Sequence, residues 1–273
     1  MNQKITSITA QKRPGRFNVF LDGNYAFSVS EDVLIKFQLS KGKELDSADL
    51  EEIFKADDLS KALNKALDYL SYSLRTEKET RQKLAKEGLE DDIIETVVKK
   101  LTKMKLLNDS EYAKSYVRTM AKTTDKGPRF IANSLKEKGI SLYDTEDALL
   151  EYPAEMQLKN ALKLAEKTVA KSKKKSFNEC NQKITQALLN KGYSSELASQ
   201  VRQSLNLTKD VDQEHENLRL ETEKLWHKNS RIDLKKRRNK IKAALFRKGF
   251  DLYECDRILD WRILKRKTEF EAV

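Results

Sequence analysis

Side chains that form catalytic, redox or membrane-spanning structures are scarce in this chain, which has only two cysteines, two histidines and two tryptophans among 273 residues. No apolar run approaches the roughly 20 residues of a membrane-spanning helix, and the N-terminus lacks the apolar core of a signal peptide. We therefore expect a cytoplasmic protein with no membrane segment. In that compartment the two thiols, Cys180 and Cys255, are expected to stay reduced.

The few reactive side chains are also poorly spaced for chemistry. His215 and His227, the two histidines, lie in a stretch rich in Glu and Lys and lack the partners that a metal site or an activated nucleophile requires. The eight glycines are largely accounted for by turns and helix ends, so no phosphate-binding loop is evident. These absences predict a protein that is not an enzyme and that binds neither a cofactor nor a metal.

Charge, by contrast, is abundant, because 36% of the residues are charged and 38% are hydrophobic. This balance is typical of amphipathic helices with thin cores. The net charge is +11 and is uneven: residues 1–150 hold 26 Lys and Arg against 25 Asp and Glu, and residues 151–273 hold 28 against 18. The excess in the second half indicates a polyanionic partner, either nucleic acid or an acidic protein surface.

A five-residue pattern recurs four times, beginning with a leucine, continuing with mostly polar or basic residues and ending with a glycine, and an apolar residue follows each copy. Its glycines are Gly88, Gly139, Gly192 and Gly249, with spacings of 51, 53 and 57 residues. A glycine after an amphipathic stretch closes a helix, because it accepts the left-handed backbone found there. The spacing predicts tandem three-helix units that stack into a curved, elongated array.

Residues 1–57 follow a different pattern, in which apolar residues alternate with polar ones around the Asp22-Gly23 turn. They predict a small α+β domain with a β-hairpin, a three-stranded sheet and helices over about 31–39 and 48–57. The predicted protein is therefore mainly α. Its predicted domains are the hairpin domain 1–57 and three-helix repeats 59–107, 108–152, 153–207 and 210–273, the last with a basic C-terminal tail.

Apolar spacing also predicts which side chains are buried. Leu63, Leu67, Leu70 and Leu74 form one stripe of the first repeat, and Leu234, Ile241 and Leu245 mark the buried face of a helix in the fourth. Phe246, Phe250 and Tyr253 cluster at a helix junction, where core packing explains them better than base stacking.

Basic residues concentrate in the last two repeats. Four of them, at i, i+4, i+7 and i+11, predict one basic stripe along a helix: Arg231, Lys235, Arg238 and Lys242. The alternative is that each basic run is simply a solvated helix face. The candidate surface for binding a protein or nucleic acid is Arg129, Lys173, Lys174, Lys175, Arg231, Lys235, Lys236, Arg238, Lys242, Arg262, Lys265 and Arg266.

Several segments resemble the RecX family of bacterial recombination regulators. Leu106–Ala113 reads LLNDSEYA and Asp125–Ile140 reads DKGPRFIANSLKEKGI, and both are similar to family motifs, as is the helix end from Glu79 to Gly88. The resemblance covers about residues 60–266 and departs from the motif at Phe130, where a second basic residue is usual. The hairpin domain resembles the extension of the longer members.

The resemblance implies a non-enzymatic regulator in DNA repair, recombination and the SOS response. Its partner would be the RecA filament on DNA, bound in the helical groove, with inhibition of ATP hydrolysis and strand exchange as the usual effect. Two alternatives remain open: a general DNA-binding repeat protein that acts without a recombinase, and a helical scaffold for another acidic protein. We expect a monomer, and leave open whether it caps filaments, fills the groove or removes recombinase subunits.

Overall fold

The computed structural model describes residues 2–12 and 14–271, with side chains described up to Leu264. None of the described helices combines the length and the hydropathy that crossing a bilayer requires. The elements in chain order are β1 Gln3–Ala10, β2 Arg16–Leu21, β3 Asn24–Ser30, α1 Glu31–Lys36, β4 Glu44–Leu45, α2 Ser47–Ser71, α3 Glu77–Lys86, α4 Asp91–Lys103, α5 Asp109–Thr123, α6 Pro128–Glu137, α7 Leu142–Leu149, α8 Ala154–Lys171, α9 Phe177–Asn190, α10 Ser195–Leu205, α11 Val211–Lys228, α12 Leu234–Arg247 and α13 Leu252–Glu271.

The N-terminal sheet is antiparallel, with strand order β3-β2-β1-β4. The hairpin predicted at Asp22-Gly23 is confirmed, because both residues have the positive φ that a tight turn requires, 49° and 88°. Three strands were expected, and the structure adds β4, a two-residue strand whose register pairs Leu45 with Gln3 of β1. Alternate side chains such as Val19 and Val29 are fully buried beneath the sheet.

Helix α2 corrects two expectations. It is one helix of 25 residues, where a helix over 48–57 and a separate one after residue 59 were predicted. No glycine or proline interrupts it, and its buried residues serve two cores: Ile53 packs with the sheet, and Ala62 packs with the first three-helix unit. Leu74 lies beyond the end of the helix and is 62% exposed, so the predicted leucine stripe ends one turn earlier.

A buried carboxylate fixes α2 to the sheet. Asp57 accepts hydrogen bonds from the Arg16 guanidinium at 3.0 and 3.2 Å and from the Ser30 N–H at 2.8 Å. Burial alone would raise the pKa of Asp57, but these donors and Lys61 outweigh it and lower the pKa. Sequence periodicity gave no sign of this contact, because an acidic residue on a helix is usually solvated.

The chain divides into two compact units. The first comprises residues up to Ser115 together with Leu135–Thr145, and the second comprises Tyr116–Ser134 together with the residues from Glu146 onward. Helices α2, α3 and α4 share a core in the first unit. In the second unit, α8, α9 and α10 share a core, and α11, α12 and α13 share another.

The predicted helix ends are confirmed. The four repeat glycines have φ of 78°, 88°, 87° and 82°, the left-handed backbone that closes a helix: Gly88, Gly139, Gly192 and Gly249. The predicted capping box is also present, since the Thr76 Oγ accepts from the Glu79 N–H and the Glu79 carboxylate accepts from the Thr76 N–H. The structure thus confirms a mainly helical protein of tandem three-helix units with a small N-terminal sheet.

Candidate partner-binding surface and the joints that position it

Three of the helix-ending glycines contact the start of another helix, in an arrangement that we call a joint. In the first unit, the end of α6 meets the start of α3: the Thr76 Oγ donates to the Lys138 carbonyl at 2.9 Å, and the Lys78 ammonium donates to the Glu137 carbonyl at 2.8 Å. The Lys138 ammonium lies 2.6 Å from Glu79. The free carbonyls of one helix end thus find donors at the start of another.

The second unit holds a joint between the end of α9 and the start of α6. The Gly127 N–H donates to the Lys191 carbonyl at 2.7 Å, and the Arg129 N–H donates to the Gly192 carbonyl at 3.1 Å. The Lys191 ammonium lies 2.7 Å from Asp125. The pre-glycine lysine therefore makes the same kind of ion pair as Lys138 does in the first unit.

A third joint, also in the second unit, connects the end of α12 with the start of α9. The Ser176 Oγ donates to the Lys248 carbonyl at 2.5 Å, and the Asn178 side-chain amide donates to the Gly249 carbonyl at 2.9 Å. Helix α11, which belongs to the same repeat as α12, adds a further bond: the Glu214 carboxylate accepts a hydrogen bond from the Phe177 N–H at 2.8 Å. These bonds fix the last repeat, which carries much of the basic charge, against α9.

The joint between α9 and α6 explains part of the family-like motif. A Cβ on Gly127 would lie 2.6 Å from the carbonyl carbon of Gly192, so the two backbones meet at a distance that only glycine allows. Pro128 occupies the first helical position, where its missing N–H costs nothing. The backbone of Arg129 completes the joint and its side chain is exposed, while Phe130 stacks beneath the Lys126 ammonium, 4.0 Å from the ring centroid.

Because of the Glu79–Lys138 ion pair, the stability of the protein is expected to decrease at alkaline pH. Burial alone would lower the pKa of Lys138, but hydrogen bonds with Glu79 and Tyr112 raise it to about 12 from 10.5. A raised lysine pKa adds stability that is complete below pH 10.5 and is lost as the pH rises through about 12. Glu79→Gln, which keeps the capping box, should lower the melting temperature at pH 8 and flatten its decline above pH 10. An alkaline melting profile identical to that of the unaltered protein would contradict this role of the pair.

The predicted basic stripe is only partly available to a partner. Arg238 lies 2.9 Å from Asp256 and 2.8 Å from Asp260, and Lys242 lies 2.6 Å from Asp256. Both cations are therefore half-buried in ion pairs between α12 and α13. Arg231 and Lys235, the other two predicted members, are exposed. The periodicity identified one face of α12 but could not show that acids of α13 lie against part of it.

The free charge lies at the end of α11, in the segment that leads to α12 and on α12 itself. Five exposed cations there form no ion pair with any residue that the structure describes, and we call them the α12 basic face: Lys228, Arg231, Lys235, Lys236 and Lys240. Sequence reasoning missed Lys228 and Lys240. The signal that could have found Lys240 is its position one turn after Lys236 on α12.

Another predicted site, Arg262, is packed against a tryptophan rather than exposed. Arg262 is 16% exposed, lies 2.9 Å from Glu223 and faces the Trp226 ring at 5.8 Å, so it packs within the last repeat. Arg237, which was not among the candidates, is buried, and its guanidinium lies 4.2 Å from the centroid of the same ring. The side chains of Lys265 and Arg266 lie outside the described residues.

The lysines between α8 and α9 have a structural role through their backbones. The carbonyls of Lys173 and Lys175 accept hydrogen bonds from the Asn217 side-chain amide at 2.9 and 3.0 Å. The Lys175 ammonium lies 3.3 Å from Glu179, whereas the side chains of Lys173 and Lys174 are exposed. This segment therefore offers two exposed cations beside the third joint that form no ion pair within the described part of the chain.

Three apolar side chains expected in the core are exposed instead. Leu234 is 37% exposed at the start of α12, Phe246 is 54% exposed and Tyr253 is 70% exposed, while Phe250 is buried as predicted. Leu234 is the first residue of its helix, where no preceding turn covers it. The remaining apolar positions of α12, Ile241 among them, suffice to fill the thin core.

The described residues contain no group of three His, Cys, Asp or Glu side chains that could hold a metal ion. His215 lies 3.4 Å from Glu254, and His227 is largely exposed. The thiols are unpaired, and burial raises the pKa of both, that of Cys255 to about 11. Neither thiol therefore has the lowered pKa of a reactive cysteine.

These features define the class of the protein. It consists of tandem three-helix repeats in which a helix end contacts a helix start, with a small N-terminal sheet domain and a basic face on the last repeat. Family models agree along the chain. The model for the N-terminal domain of regulatory protein RecX matches residues 3–46, and those for its first and second three-helix domains match 62–101 and 108–149. The model for the third matches twice, at 155–201 and 212–259. The chain belongs to the RecX family of regulatory proteins.

Relatives and solved structures support the same assignment. A regulatory protein RecX of Levilactobacillus brevis is 44% identical over 255 residues, which is 93% of this chain and 96% of the relative, and that of Bacillus subtilis is 41% identical over 93% and 97%. A crystal structure of regulatory protein RecX is 43% identical, with a TM-score of 0.69 over 74% of this chain and 99% of its own. The crystal structure of RecX from Lactobacillus salivarius has a TM-score of 0.54, with coverages of 56% and 99%.

Proposed function

We propose that this protein binds the RecA–DNA filament in its helical groove and inhibits ATP hydrolysis and strand exchange by the recombinase. Membership in a family of regulatory proteins supports a regulator that acts on another macromolecule rather than on a small substrate. The observation that carries the proposal is the α12 basic face, a set of exposed cations without ion pairs among the described residues. Such a face suits DNA phosphates or an acidic protein surface.

The activity is tested by titrating the protein into RecA, ATP and single-stranded DNA. ATP hydrolysis should fall with increasing protein and approach a low plateau, and strand exchange should fall over the same concentration range. An ATPase rate that stays unchanged at a molar excess of the protein would contradict the proposal. The proposed role places the protein in the cytoplasm, in DNA repair, recombination and the SOS response.

The same basic face favours one alternative, which is DNA binding without a recombinase. Each phosphate contact releases counterions, so with five contacts the logarithm of the binding constant for duplex DNA should fall against the logarithm of the salt concentration with a slope of about −4.5. Tight binding to bare DNA at physiological salt, together with an unaffected recombinase, would support this alternative. Weak binding to bare DNA beside strong binding to filaments would remove it.

A further inference from the structure

Every joint has two halves, a helix start and a helix end that closes with glycine. The starts of α3, α6 and α9 are occupied by the ends that close at Gly139, Gly192 and Gly249. Two halves have no such occupant among the described residues: the end of α3 at Gly88 and the start of α12. The chain thus carries one unfilled half of each kind.

The end at Gly88 has the geometry of the occupied ends. Its φ is +78°, as in the other three copies, and a Cβ built on it would have no atom within 4 Å. A cavity of about 560 Å³ opens beside it, lined on α2 by Leu59 and on α4 by Ile93 among others. An incoming side chain therefore has room beside Gly88, in the position that Lys78 occupies beside Gly139.

The start of α12 keeps one backbone donor of the kind that the joint of α6 uses. The Asp233 carboxylate caps the helix by accepting from the N–H groups of Lys235 and Lys236. The N–H of Asp233 itself faces no acceptor in the described part of the chain, and the N–H of Gly127, at the same cap position, is the group that donates in the joint of α6. Leu234 beside it is partly exposed.

The charges of the two unfilled halves are complementary, with the signs of the first-unit joint exchanged. There, Lys138 precedes the glycine and pairs with Glu79, the third residue of α3. At the unfilled halves, Glu87 precedes Gly88 and Lys236 is the third residue of α12. Within its own copy, Glu87 lies 2.7 Å from Lys83 and 3.1 Å from Lys65, so pairing with Lys236 shares or replaces these partly exposed ion pairs, which contribute little to stability. The second residue is lysine in both helices, so Lys235 can donate to a carbonyl as Lys78 does.

We infer that the Gly88 end of one copy docks on the α12 start of a second copy, with Glu87 paired to Lys236. The contact is heterologous, because a different surface of each copy takes part, and it therefore extends copies head to tail into open rows. Two copies of one family model at 155–201 and 212–259 agree with a repeat type that accepts another repeat behind it. The inference needs no recombinase and stands apart from the proposed function.

The test is sedimentation of the purified full chain at low salt, over concentrations up to about 0.5 mM, because a joint between separate copies lacks the high effective concentration of a joint within one chain. The mean mass should rise with concentration. Glu87→Lys and Lys236→Glu should each weaken association about tenfold or more, since attraction becomes repulsion. An equimolar mixture of the two variants should associate again, as rows in which the variants alternate, because both contacts between unlike variants pair a lysine with a glutamate, whereas contacts between like variants are repulsive.

Two variants with the same charge changes serve as controls. Glu52→Lys, at an exposed position of α2, and Lys240→Glu, one turn beyond Lys236, should associate as the unaltered protein does. A protein that stays monomeric throughout the series would overturn the inference, as would Glu87→Lys and Lys236→Glu variants that associate normally or controls that weaken equally. Because the assay contains no RecA, each of these results leaves the filament proposal standing.

Discussion

Replacing Gly192 by alanine is expected to lower the free energy of unfolding by about 3–4 kcal/mol and the melting temperature by roughly 10 °C. Gly192 has a φ of +87°, which strains any residue with a Cβ, and the added Cβ would collide with the backbone nitrogen of Phe130. Neither backbone can yield without breaking the joint between α9 and α6. Calorimetry of the two proteins measures the loss.

Gly88→Ala is the matched control, because it separates strain from collision. Gly88 has nearly the same backbone, with a φ of +78°, but open space where the Cβ would lie. Only the strain of about 1–2 kcal/mol is expected there. If the two alanine variants lost equal stability, the joint would not be the tight backbone contact described above.

Reversing two charges of the α12 basic face is expected to weaken inhibition of the recombinase at least tenfold, measured as the concentration that halves ATP hydrolysis. Lys236→Glu with Lys240→Glu places acids at exposed positions that make no ion pair within the described residues, so folding should be unaffected. Each lost contact with a polyanion removes attraction and adds repulsion.

The control for net charge is Lys86→Glu with Lys103→Glu, two exposed lysines of the first unit. This variant has the same net charge and should inhibit as the unaltered protein does. Equal losses in both double variants would mean that overall charge, rather than this face, attracts the protein to the filament.

Arg238 and Lys242 are unsuitable for that experiment, although the sequence pattern placed them on the same stripe. Their ion pairs with Asp256 connect α12 to α13, and Lys242 and Arg238 also lower the pKa of this carboxyl. Reversing them would bring like charges together inside the last repeat. Reduced inhibition would then report damaged packing as readily as a lost contact.

Local signals in the sequence predicted the helix ends and turns well. Glycine at a helix end, the Thr76 capping box and the Asp22-Gly23 turn depend on neighbouring residues only, and the structure confirms all three. The continuous α2 helix was not predicted, because a boundary between two cores was mistaken for a boundary between two helices. No breaker residue marks that point in the chain.

The candidate surface was harder to predict because it depends on distant residues. Helical spacing shows which residues share a face of α12, but not that Asp256 and Asp260, about 20 positions later, occupy part of it.

The joints, by contrast, have a signal in the sequence that can be recognised once the structure is known. Lysine precedes the glycine in the three copies that form joints, whereas Glu87 precedes it in the copy whose helix end has no occupant among the described residues.

Electron cryomicroscopy of RecA filaments assembled on single-stranded DNA with this protein tests the central claim most directly. The account predicts density for the protein along the helical groove, with the α12 basic face towards DNA or an acidic surface of the recombinase. Density confined to the filament ends, or bare filaments under conditions in which the protein binds free DNA, would contradict it.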